Sequence, residues 1–279
     1  MIQIQDLSFT YKGEKTPALQ EIRLSVPDGG FLGVIGPAGA GKTTLARAIT
    51  GMIPHHYPGD YYGSVTVNGL DTVETSLNDL SRQVGMVFQD VESQIISPMV
   101  EDELLYGLEN FGVPREEIPA RIDEALGKTG ILNLRDRSIA SLSGGQRQKV
   151  AIASIIALHP RVLVLDEPTG ELDPRSSRQV FSFLKELNEE QGVTVILIEQ
   201  KIMLLCEFAR QLAVLSEGRI ARQGETREVL AHAEELQALG VNCPRVTTLS
   251  MLLTDRSGTP QPVCVNLEEA EQMVRRFLP

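Results

Sequence analysis

The chain has 279 residues, 42% of them hydrophobic and 23% charged, with a formal net charge of −11. That length fits one large domain with an appendage, or two domains. The acidic balance disfavours a nucleic-acid binder, which needs a basic surface against phosphates, and disfavours docking on anionic lipid.

Residues 1–35 read as strands. Ile2, Ile4, Leu7, Phe9 and Tyr11 precede a Gly/Lys/Pro turn, and Ile22 to Val26 alternates apolar and polar. Phe31 to Ile35 is a continuous apolar run, as expected of a buried parallel strand. A helix is expected from 42 to about 51, then strands at 65–67 and 84–88. From about 90 to 160 the pattern turns helical, with Leu104, Leu105, Leu108, Ile122, Ala125 and Leu126 at helical intervals. Short buried strands at 162–165 and 193–198 flank an amphipathic helix over 175–190. Residues 212–220 read as a hairpin. This order predicts an α/β core with an inserted helical subdomain, spanning 1–224. A helix near 226–239, the break at Pro244, and the Gly258/Pro260/Pro262 stretch predict a small appendage over 225–279.

No run approaches the roughly 18 apolar residues of a spanning helix. Met1 to Asp6 has neither the basic region nor the apolar core of a signal peptide. Cys206, Cys243 and Cys264 are odd in number and unmotivated in spacing, and are expected to be reduced thiols in the cytosol. Any role at a membrane then has to come through a partner.

Three stretches carry chemistry. Gly36-Pro37-Ala38-Gly39-Ala40-Gly41-Lys42-Thr43 matches the phosphate-loop pattern and lies between an expected strand and helix. Glycines let the backbone wrap a phosphate, and successive N–H groups at the helix start face the anion. Lys42 supplies charge to the β/γ-phosphates. Thr43 supplies a hydroxyl to Mg²⁺, and Thr44 lies in the same first turn. Asp166-Glu167 follows four apolar residues, and two carboxylates at the end of a buried strand are costly without a cation or a proton-transfer task. Ser143-Gly144-Gly145 starts a helix whose amides and hydroxyl suit a γ-phosphate, while Ser143 also suits a plain N-cap.

Leu142-Ser143-Gly144-Gly145-Gln146, set between that loop and Asp166-Glu167, resembles the signature of ABC-type ATPases. The resemblance implies a RecA-like parallel sheet with an antiparallel β subdomain and a helical insert. It implies ATP and Mg²⁺ as ligands, and a dimer in which residues 143–146 cover the nucleotide of a second cassette. It further implies that Asp166 holds the Mg²⁺ shell and Glu167 is the general base. Gln89 would be the Q-loop glutamine that touches Mg²⁺, Tyr11 the aromatic stacked on adenine, and Asp173 a contact to the other subunit. Two positions depart from the family. Ala38 stands where a polar residue is usual. Gln200 stands where the family has a switch histidine, and an amide cannot carry a proton. A slow site on this chain's own loop is therefore expected. Substitution of Ser143 or Gly145 is then expected to cost more turnover than substitution of Glu167.

Gly51 to His55, Gln89 to Ile95, Val100 to Glu103, Glu109-Asn110, and the tail with Leu239-Gly240, Pro244, Leu249, Leu252-Leu253 and a helix from Leu267 to Phe277 resemble the energy-coupling factor importer ATPases. That resemblance implies uptake of vitamins or transition-metal ions at the cytoplasmic face of the membrane. The implied partners are a second ATPase (a copy or a paralogue), a transmembrane coupling protein and a substrate-capture subunit. Glu92, Glu101, Asp102 and Glu103 either face arginines of the coupling protein or form a solvated face. Another ABC transporter class, and a degenerate cassette supporting a catalytic partner, are the alternatives.

Overall fold

The computed structural model describes residues 1–276. The chain opens with β1 (Ile2–Tyr11), β2 (Leu19–Val26) and β3 (Phe31–Ile35), then α1 (Lys42–Ile49) and a short turn α2 (Met52–His55). Strands β4 (Gly59–Val67) and β5 (Leu70–Asp71), helix α3 (Leu77–Ser81) and strand β6 (Val84–Val87) follow. Three helices form the insert: α4 (Val100–Asn110), α5 (Ile118–Lys128) and α6 (Gly144–Ile156). The core resumes with β7 (Val162–Asp166), α7 (Pro174–Gln191), β8 (Thr194–Ile198), α8 (Ile202–Phe208), β9 (Gln211–Ser216) and β10 (Arg219–Glu225). Helices α9 (Thr226–Leu230), α10 (Ala233–Ala238), α11 (Arg245–Ser257) and α12 (Leu267–Arg275) end the described chain.

Two sheets form. One is antiparallel in the order β2-β1-β4-β5; the other runs β10-β9-β3-β8-β7-β6 and is parallel except for the β9–β10 hairpin. Strands β3, β7 and β8 are buried along their whole length and apolar but for Asp166 and Thr194, so both faces of the larger sheet must be covered. The period-2 alternation divides them. Leu32, Val34, Val164, Ile196 and Ile198 join α1 and the antiparallel sheet in one core. Phe31, Ile35, Leu163, Leu165, Val195 and Leu197 join α7 and α8 in the other. The insert has its own core, in which Leu104 and Leu108 of α4 meet Ile122 and Leu126 of α5 and Val150 and Ala153 of α6.

Two sequence expectations shift. The strand expected at 65–67 begins at Gly59, because the Tyr- and Gly-containing stretch before it pairs with β1 from Tyr11↔Gly59 onward. The helix expected at 226–239 breaks into α9 and α10 around His232. Leu230, Ala233 and Leu236 recur every third residue, a spacing that drifts around a straight helix; the break keeps all three buried. Residues Val229, Leu230, Leu236 and Val241 pack in the second core, whereas Val246, Cys264, Ala270 and Met273 form a separate small cluster between α11 and α12. Phe277, the expected end of the last helix, lies outside the described residues. The three cysteines are free thiols, and burial pushes that of Cys206 well above its ordinary pKa.

Candidate functional site

The site lies where β3, β7 and β8 end, with β1 reaching it from the antiparallel sheet. Residues 36–41 form a loop whose glycines are required by geometry. Gly36 has φ +154°, and a Cβ there would sit 2.1 Å from the Leu215 carbonyl oxygen. Gly41 has φ +101°, and a Cβ there would sit 2.5 Å from the Ala18 carbonyl oxygen. Gly41 is also the N-cap of α1, with no side chain taking the first-turn amides. Those amides and the positive helix end leave an anion cradle. The Lys42 ammonium is folded across the loop and donates to the Gly36 and Pro37 carbonyls, both at 2.9 Å. Pro37, Ala38, Gly39 and Ala40 complete the loop by backbone alone, and Ala38 is exposed.

The Thr43 hydroxyl donates to Asp166 Oδ2 at 2.6 Å, joining the start of α1 to the end of β7. Asp166 is 2% exposed. Burial raises its pKa, and the Thr43 hydroxyl bond offsets part of that rise. A hydroxyl beside a buried carboxylate is a hard-oxygen donor pair that fits Mg²⁺. Among the described residues no group of three or more His, Cys, Asp or Glu could hold a metal ion. Replacing Asp166 has a testable cost and benefit. Its folded pKa is raised, so its contribution to stability falls as pH rises through the window above the unfolded value and stays unfavourable beyond it. Asp166→Asn, which can still accept from Thr43, is expected to raise the melting midpoint of the nucleotide-free chain at pH 7 by a few degrees. The same variant should lose Mg²⁺-dependent ATP binding. Calorimetry with and without Mg²⁺-ATP reads both effects.

Tyr11 closes the loop from the side. Its hydroxyl lies 3.2 Å from Thr44 Oγ1 and accepts from Arg47 at 3.0 Å. Its ring stands edge-on to Phe9, with centroids 4.9 Å apart. Arg47 also lies over the Tyr57 ring at 4.2 Å.

Glu167 follows β7 with φ +51°, an uncommon conformation for a residue with a side chain. Its N–H donates to the Ile198 carbonyl at 2.9 Å, and its own carbonyl accepts from Gln148 Nε2 at 3.1 Å. The carboxylate then faces two amides. Gln200 Nε2 donates to Oε1 at 2.7 Å, and Gln89 Nε2 donates to Oε2 at 3.1 Å. Gln89 lies two residues beyond the end of β6, and Gln200 two beyond β8. Gln200, Glu167 and Gln89, far apart in sequence, are thus one hydrogen-bonded unit. Both amides present N–H donors to the carboxylate.

Ser143 is the N-cap of α6 in a reciprocal capping box. The Gln146 N–H donates to Ser143 Oγ at 3.3 Å, and the Ser143 N–H donates to Gln146 Oε1 at 2.9 Å. Gly144 lies against the Glu171 side chain and Gly145 against Glu171 and Leu172; a Cβ at Gly145 would be 3.1 Å from the Glu171 carbonyl oxygen. Among the described residues no side-chain hydrogen bond links 143–146 to 36–44. Asp173 caps α7, accepting from the Arg175 and Ser176 amides at 2.9 and 3.0 Å, and hydrogen bonds from Ser176 hold its pKa low.

Sequence reasoning missed Gln148, Arg47, Glu199 and Lys201. Gln148 is 2% exposed and bridges Glu167 to the Glu171 N–H at 3.1 Å. Its signal was present, since 148, 152 and 156 share one helix face with two buried isoleucines. The acidic segment also divides. Glu103 is buried and accepts from the Ile96 and Ser97 amides at 2.9 and 2.8 Å. Glu101 pairs with Arg135, and Glu92 with Arg147. Of the four, only Asp102 is exposed without an ion pair or side-chain hydrogen bond, so charge reversal at Glu103 would test folding and not docking.

A phosphate loop, an acidic strand end and a helical insert carrying a glycine-rich helix start define a nucleotide-hydrolysing cassette. The model of the ABC transporter family matches residues 19–170, and the chain belongs to that family. It is 35% identical over 284 aligned residues to the energy-coupling factor transporter ATP-binding protein EcfA2 of Caldanaerobacter subterraneus, covering 99% of this chain and 97% of that one. Among solved structures it is similar to CbiO1 of Clostridium perfringens, part of the ABC transporter complex CbiONQ, with a TM-score of 0.74, 31% identity, and coverage of 89% and 97%. It is also similar to a dimeric ATP-binding cassette in a post-hydrolysis state bound to ADP and Pi. There the TM-score is 0.72 at 26% identity, with coverage of 81% and 99%. The chain is an ABC-type ATPase, and ATP hydrolysis coupled to transport is its activity. Among the described residues no helix is long and apolar enough to cross a membrane.

Proposed function

We propose that this chain is an ATPase subunit of an energy-coupling factor importer for vitamins or transition-metal ions, held at the cytoplasmic membrane face by its partners. The observation that carries the catalytic part is the Glu167 carboxylate held between the Gln200 and Gln89 amides, beside the Thr43–Asp166 pair. The importer class is supported by the similarity to EcfA2 and to CbiO1.

In this reading the amides of 36–41 and Lys42 bind the phosphates of ATP. Lys42 exchanges the Gly36 and Pro37 carbonyls for phosphate oxygens. Thr43 and Asp166 would hold Mg²⁺, with Gln89 as a further oxygen donor, and the ion would neutralise phosphate charge. Tyr11 and Thr44 receive the nucleoside end and α-phosphate. Glu167 takes a proton from the attacking water while Gln200 keeps its carboxylate aimed. Ser143, Gly144, Gly145 and Gln146 cover the nucleotide of a second cassette, copy or paralogue, with Asp173 at the seam. The tail beyond 225, with its separate α11–α12 cluster, serves pairing. The other partners are a transmembrane coupling protein and a substrate-capture subunit.

Expression together with neighbouring reading frames tests the assignment. The chain should co-purify with a second cassette and a multi-spanning protein, and the complex should hydrolyse ATP. Recovery with a single exporter-type membrane protein instead would reject it.

A second reading is favoured by Gln200. A cassette without a titratable group there could bind ATP while its partner hydrolyses. Gln200→His separates the two. An active but slow site should gain turnover severalfold, since imidazole can donate to Glu167 and also carry charge. A purely supporting site should leave turnover of the complex unchanged.

A further inference from the structure

The loop after β8 reads Glu199-Gln200-Lys201. Gln200 is exposed and meets Glu167, while its two neighbours point into the protein. Glu199 is 3% exposed. Its Oε1 accepts from the Thr169 N–H at 3.0 Å and the Thr169 hydroxyl at 2.5 Å. Its Oε2 accepts from the N–H groups of Gln200 at 3.2 Å and Lys201 at 3.4 Å. The Lys201 ammonium donates to the Thr169 carbonyl, to the Leu172 carbonyl at 3.0 Å and to Ser177 Oγ at 3.1 Å. Acid and base therefore both bond to one segment, residues 169–172: Glu199 to Thr169, and Lys201 to the Thr169 and Leu172 carbonyls. A buried charge left without such partners is expensive, so the two loops hold one relative position.

The clasped segment is the one that meets the rest of the site. Glu171 and Leu172 lie over Gly144 and Gly145, and Asp173 follows at the start of α7. We propose that Glu199 and Lys201 are positioning residues: they lock residues 169–172 to the Gln200 loop, so that the seating of the 171–173 segment sets the Gln200 amide on Glu167. A second cassette docking at Asp173 would reach the hydrolytic carboxylate through this lock. The proposal rests on the reading of Glu167 and Gln200 as the hydrolytic unit. Burial raises the pKa of Glu199, while the Thr169 hydrogen bonds and Lys201 favour its charged form, in keeping with a carboxylate that depends on the clasp.

The test is a double-mutant cycle in the full chain assembled with its transporter partners. Lys201→Met keeps the stem and removes three hydrogen bonds. If Lys201 acts through Gln200, this variant should lower kcat about tenfold while KM for ATP changes less than about twofold. In a Gln200→Ala background it should cost almost nothing more. Hydrogen exchange should rise at 169–172 and stay unchanged within α7. Thr169→Val, which deletes only the hydroxyl donor, should show the same pattern more weakly and serves if Lys201→Met does not fold. Equal kcat losses with and without Gln200, or a loss confined to KM, would overturn the lock. If Glu167→Gln hydrolyses ATP like the wild type, the hydrolytic reading itself fails; if Glu167→Gln is inactive and the cycle is additive, only the lock fails.

Discussion

Glu167→Gln is expected to lower ATP turnover of the assembled transporter by about 10²-fold or more, the usual weight of a general base, while ATP affinity stays near the wild-type value. The substitution is isosteric. Gln200 and Gln89 each donate one hydrogen bond to the carboxylate, at 2.7 and 3.1 Å. An amide at 167 can accept one of these, and the other glutamine can rotate its amide to accept in turn. Backbone bonds from Glu167 N–H to Ile198 and from Gln148 to the Glu167 carbonyl do not involve the side chain. The fold and the phosphate cradle should therefore survive, and only proton acceptance is lost. Single-turnover hydrolysis and equilibrium ATP binding, measured on one preparation, separate the two effects. From sequence, Gln200 shifts weight from Glu167 to Ser143 and Gly145. The geometry moves it back, because Gln200 supports the carboxylate directly. A loss for Glu167→Gln smaller than that for Ser143→Ala would restore the sequence-based ranking and point to a partner that does most of the hydrolysis.

Much of this site was legible because its logic is local. The run Phe31 to Ile35 followed by Gly36 marks a buried strand ending in a tight turn, and Val162 to Asp166 marks the next strand with its acid at the tip. What could not be read depends on partners distant in sequence. Lys201 bonds to backbone carbonyls, which leave no trace in residue type, and Glu199 bonds to a threonine 30 positions away. Glu103 is different. It shares a helix face with Val100 and Leu104, so its burial was readable from periodicity, and its charge masked that signal. The start of β4 was hidden because Gly59 to Ser64 lacks alternation; its pairing comes from β1, which bulges near Asp6 (φ +51°) to accept it.

Gly36→Ala should unfold the loop rather than trim its affinity. The Cβ would fall 2.1 Å from the Leu215 carbonyl oxygen, and φ is +154°. That oxygen belongs to β9, whose residue Val214 pairs with Ile35. Neither side can yield without separating β3 from β9, because both neighbours are sheet backbone in the middle of the core. We expect a loss of about 3 kcal/mol or more, combining steric overlap with backbone strain. ATP binding should be lost with it. Gly39→Ala is the control. Gly39 also has positive φ, at +77°, yet nothing lies within 4 Å of its would-be Cβ. Its cost should be only the left-handed backbone penalty, about 1 kcal/mol, with the fold intact. Denaturant melts of the two variants decide the matter. If Gly39→Ala proves the more damaging to stability, conformational freedom governs this loop. The opposite order shows that the cradle is shaped chiefly by how closely β9 approaches the residue at 36.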